Sequence, residues 1–328
     1  MVLMLSRNDI KGLITMPEAI DTLKQAFGEF SKGAAAMPVR SVILAPQHEG
    51  WFGIMPAYLY SCEAMGLKSV TVYKKNAGTG LPAVLGVILL LDPTTGAPLS
   101  VMEAGYLTGV RTAAASGVAT DILARQDANE LALIGAGVQC RHHLVAMTSI
   151  RPLQKVRVFD VTRDKAELFR QDMQPTTSAI IEVVGSPEDA IRGADLVVTT
   201  STSRTPVVEY PWLKPGAHIN GVGSHSPDTR EIAGEVIAKA RVVVDSREAA
   251  LTEAGDLMIP VAEGLVKPEQ VSDEIGEVLN GAKPGRTSPD QITVYKSVGI
   301  AIEDMAVAKL VYDKAISANV GTKVDLIN

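Results

Sequence analysis

Apolar residues at Ala19, Ile20, Leu23, Ala26, Phe27 and Phe30 recur at three- and four-residue steps. That spacing predicts a helix, with Thr15 as its cap and Pro17 just inside its start. From Val39 to Leu91 the texture changes. Short apolar runs, Ser41-Val-Ile-Leu44, Gly66 to Tyr73 and Ala83 to Leu91, are separated by Gly and Pro. Asp92-Pro-Thr-Thr-Gly96 reads as a turn between two strands, so this region predicts an antiparallel sheet. Thr108 to Arg125 is alanine-rich and helical. Beyond it the order becomes regular. Strands are predicted at 131–135, 156–160, 180–184, 195–200, 217–221, 241–245 and 292–295, with helix-compatible stretches between most of them. This is the pattern of a doubly wound parallel sheet. A last helix, roughly 299–317, is expected to pack back on the first domain. The fold class expected is therefore α/β: a Rossmann parallel sheet plus a smaller α+β N-terminal domain with a mostly antiparallel sheet.

The first strand of the parallel region runs into Gly135-Ala-Gly137-Val-Gln-Cys140, and the second, Val156-Arg-Val-Phe-Asp160, stops on an acid. Strand, glycine turn, helix, strand and carboxylate are the parts a dinucleotide needs. Gly135 makes the turn. Gly137 lets backbone N–H groups approach a pyrophosphate at a helix N-terminus. Asp160 binds the adenosine ribose hydroxyls and repels a 2′-phosphate. Cys140 stands at the third small position, where it packs helix against strand. NAD(H) is thus the expected cofactor. Arg163, close behind Asp160, leaves use of NADP(H) open.

The 328 residues, 46% of them hydrophobic, provide for two domains with sizeable cores. Net charge is −6 with no basic run, so nucleic acid and anionic membranes are not expected partners. The apolar run Val84 to Leu91 contains Gly86 and is too short to span a bilayer. The N-terminus has no secretory pattern, and two cysteines make no disulfide framework. A cytoplasmic location is expected. No metal site is visible, since the adjacent His142 and His143 cannot face one ion from a helix.

Several segments together resemble the ornithine cyclodeaminase/mu-crystallin family. They are Met37-Pro-Val-Arg40, Met55-Pro-Ala57, Gly66-Leu-Lys68, Thr108-Gly-Val-Arg111-Thr-Ala-Ala, Ile134 to Gln139, His218-Ile-Asn-Gly-Val-Gly-Ser-His225-Ser-Pro, Val243-Val-Asp245 and Ser297 to Asp304. The resemblance runs in order over nearly the whole chain. It implies hydride transfer between a nicotinamide and the carbon next to a carboxylate, interconverting an amino acid and its imine. It implies a homodimer joined through N-terminal sheets, and a site between the domains. It assigns residues 1–115, with a C-terminal helix in 302–328, to substrate binding and dimerisation, and 116–301 to NAD binding. By motif position it places Arg111, Thr112, Val138, Gln139, Thr200, Ser201, Val222, Ser224 and Ser297 at the cofactor, beside Gly135, Gly137, Asp160 and Arg163.

A substrate of this class is an anion at one end, so its site needs fixed positive charge. Arg40, Lys68 and Arg111 stand at the matching positions. Arg offers a planar fork to a carboxylate; Lys offers a compact charge that also donates a proton. Lys68 lies in an apolar strand and Arg111 in a helix of small residues. Buried charges need partners, and a substrate or cofactor anion would serve. Lys68 is the candidate catalytic acid. His225 is either a site-lining proton donor or water anchor, or a loop histidine capping a helix after Pro227.

Two departures from the family pattern bear on the reaction. Cyclodeaminases carry a catalytic Asp where this chain has His225, and a Glu before the Met-Pro pair where it has Gly53. Both acids handle the amino groups of a diamine. The expected activity is therefore an NAD(P)H-dependent reductase of small α-imino acids, such as Δ1-pyrroline-2-carboxylate, or an alanine dehydrogenase-like reaction. Ornithine cyclodeamination and a non-catalytic mu-crystallin-like binding role are the rival readings.

Overall fold

The computed structural model describes residues 1–76 and 79–326; Ala77 and Gly78, within the stretch expected to join two copies, lie outside the described residues. The chain forms two compact units, Met1–Thr112 with Ile300–Asn328, and Ala113–Gly299. In chain order the first elements are β1 (Val2–Leu5), α1 (Arg7–Lys11), α2 (Met16–Phe30), β2 (Ala35–Ala36), β3 (Ser41–Ala45), β4 (Gly50–Leu59), β5 (Ala64–Tyr73), β6 (Val84–Leu91), β7 (Pro98–Glu103) and α3 (Ala104–Leu123). There follow β8 (Glu130–Ile134), α4 (Val138–Ile150), β9 (Lys155–Phe159), α5 (Arg163–Met173), β10 (Ile180–Val183), α6 (Pro187–Ile191), β11 (Leu196–Thr199) and β12 (His218–Gly221). The chain continues with α7 (Gly234–Lys239), β13 (Arg241–Val244), α8 (Arg247–Glu253), α9 (Gly255–Ala262), α10 (Ile275–Leu279), β14 (Thr293–Lys296), α11 (Ala301–Ala318) and β15 (Thr322–Val324).

The first unit is built on a sheet in the order β15-β1-β7-β6-β5-β4-β2, with β3 added to β4. All its pairings are antiparallel except β1 with β7. Alternate residues of β4 and β5 are buried, as a half-covered sheet requires. Helix α2 starts where the periodicity places it: Thr15 and Glu18 form a capping box, the Glu18 carboxylate accepting from the Thr15 N–H at 3.0 Å. Helix α11 packs on α2 and across β4, β5 and β6. Helix α3 begins at Ala104, four residues before the alanine-rich run. Glu103 accepts from the N–H groups of Gly105 and Tyr106, both at 2.9 Å, and this carboxylate cap extends the helix backwards.

The second unit is a seven-stranded parallel sheet in the order β10-β9-β8-β11-β12-β14-β13. Its central strands are covered on both faces: β11 and β12 are buried at every residue, β12 including the polar His218 and Asn220. Strand order reverses between β8 and β11. In open sheets of this class the crevice at the carboxyl ends of such strands binds ligands. Among the described residues, no helix is long and apolar enough to cross a membrane.

Candidate active site

Lys68 lies mid-way along β5, opposite Met55 of β4 and Ile88 of β6. Its side chain is on the covered face and is 1% exposed. Its Nζ lies 2.9 Å from Asp304 Oδ1 and 2.8 Å from Oδ2. Arg111, at the middle of its motif on α3, donates from Nε to the same Asp304 Oδ1 at 2.9 Å and from Nη1 to Glu303 Oε2 at 2.7 Å. The four groups form one buried cluster. Two cations meet two carboxylates at the start of α11, where the helix dipole favours negative charge. Glu303 also caps its helix, accepting from the Ile300 N–H at 3.2 Å.

A ligand anion is the partner that the sequence predicts for Lys68 and Arg111. The structure gives them carboxylates of the chain itself, and Glu303 and Asp304 were not recognised from sequence. Donors remain nevertheless. A guanidinium has five N–H groups and an ammonium three, more than these contacts use. One turn before Arg111, the Thr108 hydroxyl is buried without a hydrogen-bond partner. Arg40 sits in the loop before β3, half-buried, and its charge is felt at Lys68. Burial, then the positive charge of Arg111, pulls the Lys68 ammonium down to about 8; Asp304 opposes this and Arg40 adds to it. Thr112 follows Arg111 and is buried.

In the second unit, Gly135 ends β8 with φ +97°, a conformation that favours glycine. A Cβ there would come within 3.0 Å of the Thr200 carbonyl, so β8 and β11 approach closely at their ends. At Gly137 a Cβ would meet nothing within 4 Å. This open space lies at the N-terminus of α4, beside the exposed Val138 and the half-buried Gln139, whose Oε1 is buried without a partner. Asp160 follows β9. Its Oδ2 accepts from the Ala136 N–H at 2.9 Å and its Oδ1 from Thr162 N–H at 2.9 Å. The acid is thus tied to the glycine turn. These features fit a dinucleotide. Arg163 is exposed on α5 and pairs with Glu167 at 3.3 Å.

Thr200, Ser201, Val222, Ser224 and Ser297 all sit at or just past the carboxyl ends of β11, β12 and β14. Buried acids, missed in the sequence, hold this rim. Glu231 accepts from Ser201 N–H at 2.8 Å, Ser201 Oγ at 2.6 Å, Thr199 Oγ1 at 2.8 Å and Gly223 N–H at 2.6 Å. Burial and the charge of Asp256 push its carboxyl pKa up, against Lys296 and these hydroxyls. Asp256 pairs with Lys296 at 2.9 Å, and Lys296 donates to the Ser224 carbonyl at 2.6 Å. Asp245 accepts from Val298 and Gly299 N–H, both at 2.7 Å, and from Ser297 Oγ at 3.1 Å. The Ser224 hydroxyl is itself engaged with the Thr229 carbonyl at 2.6 Å. The signal available in the sequence was the acids' setting among Val, Ile and Gly.

His225 is exposed, with Nδ1 3.2 Å from the Gly223 carbonyl. It caps no helix. The chain after Pro227 makes a turn and a bridge from Ile232 to Val208, and α7 starts only at Gly234. Cys140 is fully buried and burial raises its thiol pKa, as expected of a packing residue rather than a nucleophile. His143 is buried too, its Nδ1 2.8 Å from the Gln139 carbonyl and its Nε2 3.0 Å from Ser116 Oγ. Burial lowers it to about 4, and it stays neutral.

Over residues 1–319 the chain matches the profile of the ornithine cyclodeaminase/mu-crystallin family. It is 39% identical over 325 residues to Delta(1)-pyrroline-2-carboxylate reductase of Bacillus cereus, covering 99% of this chain and 100% of that one. The structure of the Thermococcus litoralis Delta(1)-pyrroline-2-carboxylate reductase in complex with NADH and L-proline is similar with a TM-score of 0.96 and 43% identity, covering 98% of this chain and 100% of that one. An archaeal alanine dehydrogenase dimer with bound NAD is similar with a TM-score of 0.93 and 37% identity, covering 99% of each chain.

The rim depends on the Asp256–Lys296 pair, both side chains being 0% exposed. Lys296→Met leaves Asp256 buried without its counter-ion. It should lower the unfolding free energy by roughly 3–5 kcal/mol, read as an earlier urea midpoint. An unchanged midpoint would contradict the role given to this pair.

Proposed function

The chain belongs to the ornithine cyclodeaminase/mu-crystallin family, and we propose that it is an NADH-dependent reductase of small α-imino acids, with Δ1-pyrroline-2-carboxylate as its first substrate. The observation that carries this reading is the buried Lys68–Asp304–Arg111 cluster with donors to spare, in a chain matching a reductase of that imine along its length. An α-imino acid presents a carboxylate beside a C=N bond. Arg40, Arg111 and Lys68 hold the carboxylate. When bound, NADH supplies a hydride to the adjacent carbon. The imine nitrogen must carry a proton for that carbon to accept it, and Lys68, directly or through a water, delivers it. The hydride and the proton together convert C=N to CH–NH. Pyruvate with ammonia, which yields an imine of the same kind, is the second substrate to consider.

The glycine turn, the α4 N-terminus and Asp160 hold the dinucleotide; Thr200, Ser201, Val222, Ser224 and Ser297 line the strand ends beside it, and His225 borders them as a second polar group. Cyclodeamination finds no support at Gly53. A Cβ there would lie 2.3 Å from the Trp51 ring, so an acid at this position would require the indole to move. The free thiols of Cys62 and Cys140 suit a reducing, cytoplasmic setting.

A screen of NADH oxidation with pyrroline-2-carboxylate, piperideine-2-carboxylate, and pyruvate plus ammonia tests the reading. Lys68→Ala should lower kcat/KM by more than ~100-fold and barely change NADH affinity. Lys68 is the acid below about 8 and a neutral amine above it, so kcat/KM should fall as pH rises through that value. Rapid NAD-dependent release of ammonia from ornithine would restore the cyclodeaminase reading.

Cofactor choice rests on Asp160. NADH should bind more tightly than NADPH, and Asp160→Ser should shift preference toward NADPH. A wild-type preference for NADPH of about tenfold or more, ~1.4 kcal/mol, would refute the role given to this acid.

We also propose a homodimer formed through residues of roughly 40–100. Among the described residues β3 pairs only with β4, and it exposes Val42, Ile43 and Leu44, the last two by 60% and 64%. An apolar strand at a sheet edge needs a partner. Light scattering should find a dimer at micromolar concentration, and Ile43→Asp should dissociate it. A wild-type monomer would contradict this.

A further inference from the structure

We propose that Asp304 is the positioning residue of the carboxylate-binding cluster, holding Lys68 and Arg111 against one point on α11 and keeping the lysine charged for proton delivery. This rests on the reading of Lys68 as the acid that serves the imine.

Lys68 stands mid-strand in β5. Its neighbours across the sheet, Met55 and Ile88, are buried apolar side chains. The groups facing it from the surrounding elements are Arg111 on α3, Arg40 in the loop before β3, and Asp304 on α11. Two of these three are cations. Burial and both arginines favour the neutral amine; Asp304 alone among the described residues touches Lys68 with negative charge. Glu303 is not equivalent. It bonds Arg111 and the Ile300 N–H, and so serves the guanidinium and the helix end. Asp304 Oδ1 accepts from both Lys68 Nζ and Arg111 Nε, each at 2.9 Å. Two flexible side chains from distant elements are therefore fixed to one oxygen. A group that must meet a substrate within a fraction of an ångström needs that kind of second contact.

A merely structural Asp304 would change stability and leave the pH dependence alone. A positioning Asp304 moves it. The test is the pH profile of kcat/KM for imine reduction by the full-length protein with NADH. The wild type and Lys68→Arg, Asp304→Asn, Asp304→Glu and Glu303→Gln variants are compared. The wild-type profile should fall above about 8. Lys68→Arg should lack that descending limb. Asp304→Asn should move the limb at least about one pH unit lower and reduce kcat/KM at pH 7 by about tenfold or more, with NADH affinity unchanged. Glu303→Gln should raise KM and leave the limb in place. If Asp304→Asn does not fold, Asp304→Glu carries the test. With its charge kept and its reach changed, the limb should stay within about half a pH unit while kcat/KM falls about tenfold. A folded Asp304→Asn with the wild-type limb, or an Asp304→Glu with wild-type kcat/KM, overturns the proposal and leaves the reductase reading intact. A limb that persists in Lys68→Arg removes Lys68 as the acid, and this proposal with it.

Discussion

Lys68, Arg111, Glu303 and Asp304 are buried together, and the construction of the first unit follows from the need to pair them. Each charge alone would be costly in that setting; removing one partner of such a pair typically costs several kcal/mol. Lys68 comes from β5 and Arg111 from α3. Their carboxylates come from α11, which lies 236 and 193 residues further along the chain from them at Asp304. The last helix must therefore return to the N-terminal sheet before the two cations can be buried. That is why the unit is made of two chain segments, Met1–Thr112 and Ile300–Asn328. The fold's stability and the proposed chemistry draw on the same four side chains.

The second unit solves a related problem differently. Its parallel strands end in loops whose backbone N–H groups have no ladder partner. Carboxylates take them up: the buried Glu231 for Ser201, the buried Asp245 for Val298 and Gly299, and the half-buried Asp160 for Ala136 and Thr162. Satisfied in this way, the loops are fixed without a ligand. A dinucleotide then meets a rim already in shape, and little ordering cost falls on binding.

Much of this was legible in the sequence because local patterns carried it. The parallel strands fall within a residue or two of their apolar runs, and the glycine turn and Asp160 lie where strand, turn and acid placed them. Lys68 and Arg111 stood out as charges in apolar surroundings. Their partners did not. Glu303 and Asp304 read as ordinary acids in a first helical turn, and nothing local shows a contact nearly two hundred residues or more away. Glu231, Asp256 and Lys296 were hidden for the same reason. The early start of α3 was missed because its cap is Glu103 rather than Ser, Thr, Asp or Asn. For His225 the sequence leaves open a site-lining role or a helix cap; the chain after Pro227 turns and bridges to Val208 before α7 begins, which removes the cap.

On the proposed reading, an anion-binding cation cluster and a nicotinamide dinucleotide together serve the reduction of an α-imino acid. Its most direct test follows NADH consumption with Δ1-pyrroline-2-carboxylate while the product is resolved by chiral chromatography. Proline should form, one molecule for each NADH oxidised. Tight NADH binding with no consumption in the presence of any α-imino acid would contradict it and leave a binding protein in its place.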